Sequence, residues 1–84
     1  MNLTVLAHSL YVKDDNGRIL GEVTFPESAP GVYSIESVYV NDRYIGTEIP
    51  GRLMEAALDQ IRRQGGRPEA GCPYARRYFA DHRM

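Results

Sequence analysis

At 84 residues, with 43% hydrophobic and 25% charged side chains, the chain can close one domain around one modest core and is not a disordered tail. Its net charge is −1, and no apolar run approaches the roughly 20 residues of a membrane span, so no membrane partner is expected. The one cysteine, Cys72, cannot close an internal disulfide, which fits a reducing cytoplasm, and with only His8 and His82 at unrelated spacings no structural zinc site is expected.

The opening stretch 1-MNLTVLAHSLYVKDD lacks the basic region of a secretory signal. Residues 3–13 are apolar and β-branched with aromatic additions, and read as a strand or a bent pair of strands, with His8 structural inside it. In 14-DDNG-17, Asn16-Gly17 is a hairpin signal because both residues tolerate positive φ. Residues 18–25 alternate, with Ile19, Val23 and Phe25 on one face and Leu20, Glu22 and Thr24 on the other. The stretch 26-PESAPG-31 reads as a loop, and 32–40, VYSIESVYV, as one long central strand.

The period then changes. Ile49, Leu53, Met54, Ala57, Leu58 and Ile61 fall at helical spacing, giving a helix over about 48–64. Thr47 can cap its start, Pro50 is tolerated in its first turn, and Gly65-Gly66 end it. Residues 67–71 have room for a short strand, and a second helix over 73–81 buries Ala75, Tyr78 and Phe79. A strand, a crossover helix and a strand close most simply as a right-handed parallel unit, so 32–40 and 67–71 are expected to run parallel. The expected class is α/β (α+β): a mostly antiparallel sheet with one parallel splayed strand pair and two helices, with residues 1–84 as a single domain.

The charge is unevenly spread. Residues 1–50 hold three cations against seven carboxylates, whereas residues 51–84 hold seven arginines against four carboxylates. Those arginines read either as solvated helix faces or as the surroundings of an anionic ligand. The segment 41-NDRYIGTEIPGRL-53, a loop with Gly46 and Thr47, leads into a helix N-terminus, whose free amides and dipole favour phosphate. Cys72 sits before Pro73 at the next helix start, where the dipole favours thiolate; the bland reading is a buried cap. Both helix starts open on one sheet edge, beside the ends of the parallel pair.

These features resemble the GNAT superfamily of acetyltransferases, and most closely its small single-domain branch of acetyl-CoA-binding proteins. The ending CPYARRYFADH is similar to that branch's Cys-Pro-Tyr, aromatic, His signature; the DDNGR turn, the GEVTF strand and the strand ending VYV are similar too. The resemblance covers nearly the whole chain. It implies acetyl-CoA in the splay between 32–40 and 67–71, with the backbone of Val38, Tyr39 and Val40 pairing with the pantetheine arm. It places Arg43 and Gly46 at the first and fourth positions of the pyrophosphate loop Arg/Gln-x-x-Gly-x-Gly/Ala, with Thr47 beside them. Cys72 would lie near the thioester, as the catalytic candidate, with Tyr74 and Tyr78 close by. His82 reads as a surface residue.

The resemblance further implies transfer of acetyl to an unknown amine, small molecule or protein, by a monomer or weak dimer. Glu22 and Glu36 are the carboxylates placed to act as a general base. Glu48 takes the sixth loop position, where the pattern keeps Gly or Ala, so Glu48→Gly is expected to tighten binding. Glu48 and Ile45 also support an alternative, a non-enzymatic CoA-binding or interaction module with a degraded loop. The acidic first half argues against nucleic acid as a partner.

Overall fold

The computed structural model describes residues 2–82. Its elements run β1 (Asn2–Val5), β2 (Ser9–Lys13), β3 (Ile19–Thr24), β4 (Glu27–Ala29), β5 (Val32–Ile35), β6 (Ser37–Val40), a tight helical turn at Asp42–Tyr44, α1 (Ile49–Arg63), β7 (Arg67–Ala70) and α2 (Pro73–Asp81). Strands β1-β2-β3-β6 form one antiparallel sheet, and β4-β5-β7 a second, mixed one.

The expected bent pair at the start is present, β1 pairing with β2 from Asn2↔Lys13 to Val5↔Leu10. His8, however, lies exposed in the bend between them rather than inside a strand, its ring 5.8 Å from that of Tyr33. The Asn16-Gly17 turn forms as read, and the Asp14 carboxylate locks it by accepting from Asn16 N and Arg18 N, both at 2.9 Å. The facing of β3 departs from simple alternation. Its pairing slips from Val12↔Gly21 to Lys13↔Ile19, so one residue bulges out, Leu20 is buried and Ile19 turns to solvent.

Two further expectations are corrected. Residues 26–31 are not all loop: Glu27–Ala29 pair with β5, because β5 offers a free edge beside them. Residues 32–40 are not one strand. Glu36 interrupts them, its amide donating to Thr24 O at 3.0 Å, so that β5 pairs with β7 in parallel while β6 pairs only with β3. The parallel unit is therefore confined to Val32–Ile35 against Arg67–Ala70, and beyond it the two sheets splay apart.

Helix α1 lays its apolar stripe, Ile49, Leu53, Met54, Ala57, Leu58 and Ile61, on β2, β3, β6 and β7. Thr47 Oγ1 accepts from Ile49 N at 3.2 Å, and Gly65, at φ +75°, closes the other end as its amide and that of Gly66 reach back to Arg62 O and Ile61 O. Helix α2 packs on β7 with Ala75 buried and Tyr78 and Phe79 against the core. In the antiparallel sheet Leu10, Val12, Val23, Val38 and Val40 face this core, whereas Ser9, Tyr11, Glu22, Thr24, Ser37 and Tyr39 alternate onto the opposite face and take no part in it. Among the described residues that second face carries no helix. No helix among the described residues is long and apolar enough to cross a membrane.

Candidate active site

The splay begins where the parallel β5–β7 pair ends. Hydrogen bonding continues to Gly71 N, which donates to Ile35 O at 3.0 Å, and then α2 turns away. Among the described residues no strand pairs with the edge of β6 that would face β7. A cleft of about 640 Å³ opens there, walled by Val38, Tyr39, Val40, Asp42, Ile45, Gly46, Thr47, Pro50, Gly51 and Tyr74.

The loop into α1 is shaped by short-range hydrogen bonds. Asn41 Oδ1 accepts from Arg43 N at 3.1 Å and starts the tight turn, which Gly46 leaves at φ +86°, a conformation that only glycine adopts without strain. Thr47 Oγ1 donates to Tyr44 O at 2.6 Å while accepting from Ile49 N, so one hydroxyl joins turn and helix. Pro50 has no amide to offer. The first-turn donor left at the cleft wall is that of Gly51. A Cβ at Gly46 or Gly51 would meet nothing within 4 Å, so at both positions the backbone borders open space.

Of the residues read from sequence, Val38, Tyr39, Val40, Gly46, Thr47 and Tyr74 come together in this wall. Arg43, Tyr78 and Cys72 do not. Arg43 is exposed on the tight turn; Tyr78 lies one turn further along α2, its ring stacked 3.9 Å from that of His82. Cys72 is half-buried, and its Sγ accepts from Ala75 N at 3.4 Å as the cap of α2. Glu48 also stays out of the wall. Its carboxylate lies 3.4 Å from Arg52 Nη2, on a neighbouring depression with Glu55 that shares Thr47 and Gly51 with the cleft, so Glu48→Gly is expected to act on a bound pyrophosphate through charge rather than through contact.

Two carboxylates border the region from the other side. Glu22 stands opposite Tyr39 on the helix-free face. Glu36, at the interruption of the strand, reaches over Gly71: a Cβ added there would overlap Ser34 Oγ and lie 2.5 Å from Glu36 Oε2. Glu36 therefore stands at the apex of the splay, beside the start of α2. Gly71→Ala should cost about 1–3 kcal/mol, because Ser34 is buried and has nowhere to move. Thermal unfolding checks this, and an unchanged midpoint would contradict the packing described. Burial pushes the Tyr74 phenol up; burial, then Glu55 and Tyr74, push Tyr78 up against an opposing pull from Arg62. Both therefore stay protonated at neutral pH, as hydrogen-bond donors.

Over residues 9–84 the chain matches the family described as GCN5-related N-acetyl-transferase. It belongs to that family. No curated protein matches the chain. Among solved structures, this GCN5-related chain is similar to a GCN5-like protein from Staphylococcus aureus at TM-score 0.77 and 20% identity, over 96% of this chain and 79% of that one. It is similar to a GNAT family acetyltransferase from Brucella melitensis, solved in complex with acetyl-CoA, at TM-score 0.65 and 29% identity, over 83% of this chain and 50% of that one. A ribosomal-protein-alanine N-acetyltransferase from Brucella melitensis biovar Abortus gives TM-score 0.65 at 20% identity, over 87% of this chain and 59% of that one. The GCN5-related chain thus spans about half the length of the two Brucella proteins.

Asp42, Ile45, Pro50 and Gly51 join the wall without having been read as site residues. The signal for Gly51 was present: a glycine inside a helix costs about 1 kcal/mol relative to alanine and asks for a reason.

Proposed function

We propose that residues 1–84 act as one acetyl-CoA-dependent N-acetyltransferase domain that moves acetyl to an amine. The observation that carries this reading is the cleft itself. An unpaired strand edge at Val38–Val40 meets a helix start where Gly46 and Gly51 leave the backbone bare. The edge can pair with the amides of an extended pantetheine arm, and the Gly51 amide with the α1 dipole suits a pyrophosphate. Bound there, acetyl-CoA supplies an activated acyl group and a thiolate leaving group.

The chain's own groups then have distinct tasks. Tyr74, from the wall, offers a neutral phenol to the sulfur side of the cleft. Glu36, at the apex, takes the proton of the attacking amine as the C–N bond forms and the C–S bond breaks. Glu36→Gln is expected to lower kcat about 100-fold while leaving acetyl-CoA affinity unchanged. A variant with full kcat would remove Glu36 from this role.

The covalent role read for Cys72 is decided by mass. A relay through the thiol leaves an acetyl adduct that disappears in Cys72→Ala. Direct transfer leaves none, and the proposal has direct transfer, since Sγ is held as the acceptor of the Ala75 amide. An adduct on the wild-type chain would reinstate the relay. A non-enzymatic CoA binder would bind acetyl-CoA and turn over no amine; Glu48, one of the two residues that suggested it, is engaged with Arg52 outside the cleft wall.

A further inference from the structure

We infer that the helix-free face of the sheet is the acceptor side, and that it selects an amine carrying a second cationic nitrogen about 10 Å from the one acetylated. The inference rests on the acetyltransferase reading above and names the substrate class for it. Tyr11, Glu22 and Tyr39 stand side by side across β2, β3 and β6. Cross-strand neighbours have their Cβ atoms about 5 Å apart, so two aromatic rings flank one carboxylate. The next row is Ser9, Thr24 and Ser37, with Thr24 Oγ1 2.8 Å from Ser37 Oγ. Beyond it stands Glu36 at the splay apex, three residues along the chain from Tyr39.

This face already holds one ammonium in the manner proposed. Lys13 Nζ lies 5.3 Å from the centroid of the Tyr11 ring. Tyr39, 50% exposed on the other side of Glu22, offers a second ring, and no cation of the described residues lies over it. The charged side chains of this face and its continuation over β7 are Lys13, Glu22, Glu36, Arg67 and Glu69. The ion pairs found among the described residues are Glu48 with Arg52, at the start of α1, and Asp59 with Arg63 within it. Glu22 and Glu36 take part in neither ion pair, and they stand at the two ends of one polar track. A linear dication fits it, with its distal ammonium on Glu22 between the rings and its reactive nitrogen at Glu36.

The probes are octamethylenediamine, octylamine and ethylenediamine, titrated into the full chain and followed by backbone amide shifts. Octamethylenediamine should shift Tyr11, Glu22 and Tyr39 and bind about fivefold more tightly than octylamine, with ethylenediamine no better than the monoamine. Glu22→Gln, which changes no shape, should remove that preference without altering octylamine binding, and Glu22→Lys should exclude the diamine. Equal binding of the three amines, or a preference that survives Glu22→Gln, overturns the inference. These readouts need no turnover. Diamine selectivity in a chain that binds no acetyl-CoA would sustain the dication site while overturning the acetyltransferase reading.

Discussion

Phe25→Ala should remove about 3–5 kcal/mol of stability, the cost of deleting a fully buried aromatic ring that its surroundings cannot refill. Phe25 is wholly buried and heads the largest side chains in the core. Its amide donates to His8 O at 2.8 Å just after β3, so the ring is fixed where the chain crosses from one sheet to the other. A chain of 84 residues carries a total stability of about 4–13 kcal/mol. The loss should therefore be a large fraction of the total stability. Urea unfolding followed by circular dichroism measures it, and a loss below about 1 kcal/mol would mean that the ring is not part of the core.

Gly51→Leu should act in opposite directions on stability and on binding. In the first turn of α1, leucine replaces the residue with the poorest helix propensity after proline, a gain of up to about 1 kcal/mol. Its side chain would project from a Cβ that meets nothing within 4 Å, at a position bordering both the cleft and the depression beside Glu48. Acetyl-CoA affinity should fall about tenfold or more, equivalent to about 1.4 kcal/mol. Thermal unfolding and calorimetry on one sample give both numbers. A more stable protein with unchanged affinity would move the ligand away from Gly51.

The helices were legible in the sequence because their signals are local. The apolar stripe from Ile49 to Ile61 and the Thr47 hydroxyl at its start appear where periodicity and capping chemistry put them, and so does the Cys72-Pro73 start of α2. The division of 32–40 at Glu36 was not legible, since VYSIESVYV contains no glycine or proline to mark it. It is imposed by partners distant in sequence, Thr24 O for the Glu36 amide and β7 for the first half of the strand. The bulge that buries Leu20 and exposes Ile19 likewise depends on the register against β2. In the site, the residues carried over by family pattern divide by element. Those on β6 and at Gly46-Thr47 meet in the cleft, whereas Arg43 lies exposed on the tight turn at Asp42–Tyr44 and outside the wall. Glu36 stood out in the sequence only as one of two candidate carboxylates; its contact with Gly71 distinguishes it.

The cleft as acetyl-CoA site is tested most directly by titrating acetyl-CoA into the isotopically labelled chain and following each backbone amide. The account predicts saturable shifts at Val38–Val40, Ile45–Gly51 (Pro50 has no amide) and Tyr74, with the Gly51 amide among the largest because it faces the pyrophosphate. No shifts at millimolar ligand, or shifts confined to Tyr11, Glu22 and the rest of the helix-free face, would contradict it.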